Sequence, residues 1–338
     1  MPVVNAAIFG CAGLALSDEE RRFFARVNPL GFILFARNID TPAQVRALVD
    51  DFRAVVGRAD APVLIDQEGG RVQRLKPPHW RKAPPGAPFA VLAARDPVLA
   101  REALRLNFRL IGRELADLGI DVDCAPVLDV PVSGAHDVIG DRAYGLTAEA
   151  VSALAGEVIE GLLDEAVLPV IKHIPGHGRS MVDSHHDLPV VEASLTELEA
   201  QDFPPFRAFR HAPWAMTAHV VYTALDAQAP ATTSAKVIRE VIRGAIGFDG
   251  LLISDDLSMK ALGGSFEGRT TASLDAGCDV VLHCNGDMAE MLAIASAVRP
   301  LTDAALIRLA RGEAMKRQPK AFDVAVAVSR VDALLGNV

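Results

Sequence analysis

The amino-acid sequence predicts an α/β protein with a (β/α)8 barrel of the TIM type, formed as a single domain by residues 1–338. Three observations lead to this prediction: eight short runs rich in branched apolar residues, amphipathic segments between them, and polar residues at the ends of the runs. Short apolar runs bounded by turn residues are typical of parallel strands buried on both faces, and eight such strands close a barrel. An open, doubly wound sheet fits the same alternation.

The predicted strands and helices follow one another along the whole chain. Ser17 and Ser194 each begin a helix capping box, and Thr41 and Asp96 each precede a proline at the first helical position. A proline-rich stretch, 76–89, predicts a rigid insertion, and the C-terminal segment from 301 onwards predicts helices on the outside of the barrel. The predicted strands are residues 3–9, 31–35, 62–66, 120–125, 168–172, 214–218, 251–254 and 279–283.

Composition and charge exclude several classes of partner. The net charge is −9 and there is no basic stripe, so neither nucleic acid nor an anionic membrane is an expected partner. No apolar run reaches the ~20 residues that span a bilayer. Residues 1–16 lack a basic leader and predict a first strand rather than a signal peptide. We therefore expect a cytoplasmic protein with reduced, buried thiols, namely Cys11, Cys124, Cys278 and Cys284.

Nearly every predicted strand ends in side chains that suit acid–base or hydrogen-bonding chemistry. Because the carboxyl ends of barrel strands meet at the face where barrel active sites lie, these side chains predict one site. Carboxylates accept hydrogen bonds from sugar hydroxyls and cations donate to oxygens, so Asp66, Arg142 and Lys172 suit a hydroxylated ligand. The strand-end residues are Arg37, Asn38, Asp66, Glu68, Asp123, Asp129, Lys172, His173, His219, Asp255, Asp256 and His283.

Residues 173–190, after the fifth predicted strand, contain four of the nine histidines. The segment has no helical or strand period and exceeds the usual loop of ~4–6 residues, so we predict a mobile active-site loop with pivots at Gly176 and Gly178. In an extended loop Asp183 and His185 face the same side, and the carboxylate can orient the imidazole as in a hydrolase triad. The alternative is a solvated turn that Asp183 caps.

Two further interpretations remain open from the residues alone. Asp255 can act as a nucleophile, a base or a metal ligand, or it can cap a helix, for which Asp256 is equally suited. The histidines of the loop could also bind zinc, but no helical pair with a glutamate between them supports this. We expect His177 and His186 to hold the loop in place by hydrogen bonds instead.

Four segments together resemble the glycoside hydrolase family 3 β-N-acetylglucosaminidases. In one-letter code, residues 172–178 read KHIPGHG and are followed by DSH at 183–185, which is similar to the family signature. Residues 253–259, ISDDLSM, resemble the nucleophile segment, and residues 65–72, IDQEGGRV, resemble an early sugar-binding segment. Residues 140–145, GDRAYG, also fit. Ile174 departs from the pattern, where an aromatic residue is common.

The resemblance implies a retaining, two-step hydrolysis that needs no metal and no organic cofactor. By this resemblance Asp255 is the nucleophile, His185 is the general acid/base and Asp183 orients it. The implied substrate is a small carbohydrate, N-acetylglucosamine linked to 1,6-anhydro-N-acetylmuramyl peptides in peptidoglycan recycling, and we expect a monomer. The residues implied to bind the N-acetylglucosamine unit are Asp66, Arg74, Arg142, Lys172 and His173.

Two other functions remain open at this point. A family 3 phosphorylase would use phosphate as the acceptor, and a histidine acid/base, unlike a carboxylate, would not repel that anion. A non-catalytic sugar-binding protein could also use the same barrel, because fold does not determine function.

Overall fold

The computed structural model describes residues 3–182, 184 and 187–336, and within these residues eight parallel strands close into a barrel. All eight overlap the predicted runs, and closure through the pairing of the first strand with the last excludes an open sheet. The fifth strand extends to Ile174, so His173 belongs to a strand. The strands are β1 Asn5–Phe9, β2 Pro29–Leu34, β3 Val63–Ile65, β4 Val122–Asp123, β5 Leu168–Ile174, β6 Trp214–Thr217, β7 Leu251–Asp256 and β8 Val280–His283.

Helices surround the barrel, and their starts confirm the capping predictions. Ser17 and Ser194 form capping boxes, and the side chains of Thr41 and Asp96 accept hydrogen bonds from amides of the helices that follow. The α-helices are Asp18–Val27, Pro42–Val56, Gly86–Arg95, Pro97–Ala116, Ala148–Leu163, Leu195–Glu197, Phe203–Ala208, Phe266–Ala276, Met288–Ala297, Asp303–Glu313 and Val324–Leu335. Two segments, Leu198–Asp202 and Val237–Ala245, are π-helical.

The helical prediction for the C-terminal segment is confirmed by its last helix, Val324–Leu335, which packs on the outside. Ala327 and Val331 of that helix form a small buried cluster with Leu110 of the helix Pro97–Ala116. The four cysteines are buried and form no disulfide, as expected. Among the described residues, no helix has the length and hydrophobicity that crossing a membrane requires.

The proline-rich stretch 76–89 lies against a short hairpin that follows β3. The hairpin consists of Gln67–Gly69 and Val72–Gln73, and the side chain of Gln73 donates to the carbonyl of Arg81 and accepts from the amide of Ala83. Because the hairpin carries charged residues of the barrel mouth, this insertion supports the site.

Candidate active site

The carboxyl ends of the barrel strands line one pocket, as the sequence predicted. Asp255 and the five residues to which the resemblance assigns sugar binding are all part of its lining. Asp183, His185 and His186 lie outside the described residues. The polar lining consists of Asp66, Glu68, Arg74, Arg142, Lys172, His173, His177, Ser184, Asp255 and Asp256.

The hairpin after β3 brings Asp66, Glu68 and Arg74 to the pocket. Its turn needs glycine, because Gly69 and Gly70 have φ values of 94° and 58°, and a Cβ on Gly69 would overlap the carbonyl oxygen of Pro84. The side chain of Gln67 accepts hydrogen bonds from the amide of Arg74 at 2.8 Å and from that of Leu75 at 3.0 Å. This buried amide fixes the second arm of the hairpin relative to the first.

Two carboxylates and three cations form a continuous network on one wall of the pocket. Lys172 Nζ lies 2.8 Å from Asp66 Oδ1 and 2.7 Å from Glu68 Oε1. Arg142 donates two hydrogen bonds of 2.8 Å to Glu68, and Arg74 Nη2 lies 3.0 Å from Asp66 Oδ2. Arg142 comes from a separate 3₁₀ turn, Gly140–Arg142, so Glu68 connects that turn to the barrel.

The network remains ionised across the neutral range. Burial alone would raise the pKa of the Asp66 carboxyl, but Lys172 and Arg74 hold it well below its usual value. For Glu68, Arg142 and Lys172 likewise outweigh burial and lower the pKa to about 2. The pKa of Lys172 is raised, because the attraction of the two carboxylates exceeds the effect of its burial. The wall therefore offers charged donors and acceptors to the hydroxyl and amide groups of a sugar.

His173 is oriented by a fully buried carboxylate. Its ring Nδ1 lies 2.7 Å from Asp129 Oδ2, and Asp129 Oδ1 accepts the backbone amides of His173 and His177 at 3.1 and 2.6 Å. Burial would raise the pKa of Asp129, but the neighbouring His173 lowers it to about 2, so the ionised carboxylate accepts a hydrogen bond from the Nδ1–H group. Nε2 is then the ring nitrogen that remains for a ligand.

The two aspartates at the end of β7 have different surroundings. Asp256 accepts hydrogen bonds from the amides of Ser258 and Cys284 at 3.0 and 3.1 Å and from the Ser258 hydroxyl at 2.5 Å. The next helix starts only at Phe266, with the preceding serine as its cap, so the helix-cap alternative is wrong for both aspartates and Asp256 instead fixes the turn that follows β7. Asp255 lines the pocket, and its Oδ1 accepts the amide of Asp256 at 2.8 Å.

The start of the predicted mobile loop is fastened to the barrel. A Cβ on Gly178 would overlap the backbone of Val130, and Gly176 has a φ of 135° with its carbonyl accepting the Tyr222 hydroxyl at 2.6 Å. Arg179 Nε lies 2.7 Å from Asp202 Oδ2. These contacts explain the two glycines by close packing and backbone conformation rather than by a hinge. Motion of the remainder of 173–190 stays a prediction.

His177 holds the loop, as the sequence predicted. It is buried, its amide donates to Asp129, and its Nε2 lies 3.2 Å from Ser184 Oγ. Burial and the neighbouring His173 lower the pKa of His177 to about 4, so the ring is neutral near pH 7. His173 and His177, two of the four histidines considered for zinc, thus direct ring nitrogens at Asp129 and Ser184.

The sequence placed Glu68 and Asp129 at strand ends but assigned no role to either of them. Their partners come from segments dozens of residues away, so only the closed barrel shows that they orient Arg142, Lys172 and His173. Phe35, the last residue of the second predicted strand, was also missed: the guanidinium of Arg74 lies over its ring, 4.8 Å from the centroid. The sequence did contain an indication of this contact, since an aromatic residue at a strand end near the predicted cationic side chains can stack on a guanidinium.

A barrel with one polar, carboxylate-bearing pocket at its carboxyl face defines an enzyme of the TIM-barrel class. The chain belongs to glycosyl hydrolase family 3: the model of the family's N-terminal domain matches residues 5–311. It is thus a glycoside hydrolase, and the family resemblance of the sequence is confirmed.

Named relatives cover most of the chain. A β-hexosaminidase of Alkalilimnicola ehrlichii is 41% identical over 313 residues, which span 91% of this chain and 89% of the relative. A β-hexosaminidase of Thiobacillus denitrificans is 41% identical over 280 residues, 81% of this chain and 76% of the relative. Among solved structures, NagZ from Neisseria gonorrhoeae in complex with N-trifluoroacetyl-D-glucosamine superposes with a TM-score of 0.89 at 30% identity, and the match covers 98% of both chains.

Proposed function

We propose that this protein is a retaining exo-β-N-acetylglucosaminidase that releases the non-reducing N-acetylglucosamine of 1,6-anhydro-muropeptides during peptidoglycan recycling in the cytoplasm. The observation that carries the proposal is the meeting of Asp255 with the network of Asp66, Glu68, Lys172 and Arg142 in one pocket. Relatives named β-hexosaminidase, and a structural neighbour complexed with an N-acylated glucosamine, support the sugar class.

The pocket suits a short, polar saccharide. Among the described residues that line it, Phe35 is the only phenylalanine, tyrosine or tryptophan. These three aromatic residue types make up 5% of the chain. Stacking along a polysaccharide would need several such rings. In our proposal Asp66, Arg74, Arg142, Lys172 and His173 bind the hydroxyl and acetamido groups of one N-acetylglucosamine residue, and residues 1–338 function as one catalytic domain.

In the first step of the proposed mechanism, an oxygen of Asp255 attacks the anomeric carbon while His185, as imidazolium, protonates the glycosidic oxygen. The bond to the leaving group breaks and a covalent glycosyl ester forms with inversion. In the second step neutral His185 takes a proton from water, the water oxygen attacks the anomeric carbon, and Asp255 leaves as carboxylate. Two inversions give net retention.

The proposed pair of Asp255 with His185 departs from the two carboxylates that most glycosidases use. A histidine can perform both proton transfers near neutral pH, because its ordinary pKa lies close to the working pH. Asp183, two residues earlier in the loop, would fix the tautomer of His185 and stabilise its charged form. Both residues lie outside the described part of the chain, so their roles rest on the family resemblance.

The test is the hydrolysis of an aryl N-acetyl-β-glucosaminide by the wild type and by Asp255→Ala, with and without phosphate. We expect turnover by the wild type, its loss in the variant, no response to phosphate, and initial release of the β-anomer in the NMR spectrum. Titration with N-acetylglucosamine shows whether the variant keeps an intact pocket. A sugar phosphate as product would favour the phosphorylase, and binding without any turnover by the wild type would favour a sugar-binding protein.

Leaving-group dependence tests His185 separately. His185→Ala should slow 1,6-anhydro-muropeptides far more than activated aryl glycosides, because an aryl oxide departs with little protonation. Equal losses on the two kinds of substrate would contradict the acid role.

A further inference from the structure

Strand β7 is irregular where it carries Asp255. Ile253 lies opposite Val280 of β8 and Asp256 lies opposite Leu282, so β7 has one residue more than β8 between these pairs. An extra residue leaves part of the backbone ladder unmade and bends the strand. The regular pairing is interrupted at Ser254 and Asp255 and resumes beyond them, where the amide of Leu257 donates to the carbonyl of Leu282 at 2.9 Å.

Two side chains add hydrogen bonds to β8 across the bulge. Ser254 Oγ accepts the amide of Leu282 at 2.9 Å, and Asp256 Oδ1 accepts the amide of Cys284 at 3.1 Å. On the β6 side, the paired residues end with Ile253 opposite Met216. The backbone beyond Ile253 needs another partner on that side.

His219, shortly after β6, supplies that partner. The residue is fully buried, and its Nε2 lies 3.0 Å from the carbonyl oxygen of Asp256. Since a carbonyl oxygen only accepts, Nε2 carries a proton and donates. Its Nδ1 lies 2.7 Å from the Thr232 hydroxyl, which is itself 2.8 Å from the hydroxyl of Thr217.

In the neutral ring of His219, Nδ1 accepts a hydrogen bond from the Thr232 hydroxyl at 2.7 Å, which is nearer than the second acceptor available to that hydroxyl, the carbonyl of Ala218 at 3.1 Å. Burial lowers the pKa of His219 and His173 adds to the lowering, although the carboxyl groups of Asp255 and Asp256 and the carbonyl of Asp256 act in the opposite direction. The hydroxyl of Thr232 thus selects the tautomer that donates from Nε2.

We propose that His219 is a positioning residue for Asp255. By holding the carbonyl of Asp256 it fixes the backbone of that residue, whose own amide donates the hydrogen bond to Asp255 Oδ1. The inference rests on the proposed role of Asp255 as the nucleophile. A single orientation of the carboxylate matters because a displacement of about 1 Å at the reacting atoms can cost about 100-fold in rate.

The test compares His219→Leu, which lacks the donor, with His219→Gln, whose side-chain amide can donate near the position of Nε2. We expect His219→Leu to lower kcat on an aryl N-acetyl-β-glucosaminide by about 10- to 100-fold with KM little changed. The acid limb of kcat/KM should move to higher pH, because a carboxylate that loses an amide donor has a raised pKa. His219→Gln should recover most of both losses.

His283→Leu is the matched control for a structural effect. His283 is equally buried at the end of the next strand, but its Nε2 lies 2.8 Å from Glu290 in the helix layer. Its loss should lower the thermal stability while the acid limb stays in place. If His219→Leu does not fold, Thr232→Val is the second variant. It leaves His219 in place and removes the hydroxyl that bonds Nδ1, together with the bonds of that hydroxyl to Thr217 and to the carbonyl of Ala218, and kcat should fall.

The outcomes separate this inference from the proposed function. Turnover by Asp255→Ala would refute the nucleophile whatever the His219 variants do. If Asp255→Ala is inactive, a folded His219→Leu with wild-type kcat and acid limb overturns the positioning role. Equal losses in folded His219→Leu and His219→Gln, or an unchanged kcat in Thr232→Val, overturn it as well.

Discussion

Glu68→Gln should both destabilise the fold and weaken sugar binding. Glu68 is buried and is the shared partner of Arg142 and Lys172. Folding lowers its pKa from 4.5 to about 2, and a tenfold change in proton affinity is worth about 1.4 kcal/mol, so the ionised carboxylate contributes about 3 kcal/mol at pH 7. This agrees with the roughly 3–5 kcal/mol lost when one partner of a buried ion pair is removed.

The pH dependence of this loss has a definite sign. Because the pKa of Glu68 is lower in the folded state, its stabilisation is complete above pH 4.5 and disappears as the pH falls toward 2. The difference in free energy of unfolding between wild type and Glu68→Gln should therefore be greatest at neutral pH and should shrink at pH 3.

The binding effect follows from the position of Arg142. The side chain of Arg142 donates two hydrogen bonds to Glu68 and a third, of 3.0 Å, to the carbonyl of Val138 in its own loop. Without the carboxylate, Arg142 can turn away from the pocket. A hydrogen bond to a charged group is worth about 1.5–3 kcal/mol, so KM should rise by about 10- to 100-fold, with a smaller change in kcat.

Glu165→Gln is the matched control. Glu165 is also buried and is bonded by two arginines, Arg109 at 3.0 Å and Arg113 at 2.8 Å, but it lies among the outer helices. Urea unfolding at pH 7 and pH 3, together with KM for an aryl glycoside, should show that both variants lose stability and that only Glu68→Gln raises KM. A wild-type KM in Glu68→Gln, or equal increases in the two variants, would show that Glu68 does not hold Arg142 in place for the sugar.

Three further substitutions test the supports of the site. Gly178→Ala should destabilise the protein by about 1–3 kcal/mol and lower kcat, because its Cβ would overlap the backbone of Val130; Gly13→Ala, which has open space around the added Cβ, should change neither. Asp129→Asn should raise KM severalfold by releasing the ring of His173, and an unchanged KM would show that this orientation is unimportant. Arg179→Met should lower the unfolding midpoint, because it leaves Asp202 buried without its ion pair; a wild-type midpoint would contradict this.

The strands and helix starts were predictable because both depend on local sequence. A buried parallel strand requires a continuous apolar run, and a capping serine acts on an amide three residues away, as Ser17 does on Glu20. The location of the site was predictable for a related reason. Once the strands of a barrel are parallel, residues that follow them, such as Asp66 and Asp255, meet at one face.

The pairings within the site were not predictable, because they join segments that are distant in the chain. Lys172 and Glu68 are 104 positions apart, and their contact depends on how the barrel closes. The different contacts of Asp255 and Asp256 lie at a bulge in β7, and the pattern of apolar residues gives no sign of that bulge. The glycines at 176 and 178 suggested a hinge, whereas they fit a crowded backbone, a distinction that the residue type cannot make.

Trapping the covalent glycosyl ester would show whether Asp255 is the nucleophile. The wild type would be incubated with a fluorinated N-acetylglucosaminyl fluoride, whose second step is slow, then digested and examined by mass spectrometry. We expect one added sugar residue on the peptide that carries Asp255, and none after Asp255→Asn. A label on another residue, or an active enzyme that never accumulates the ester, would contradict that role.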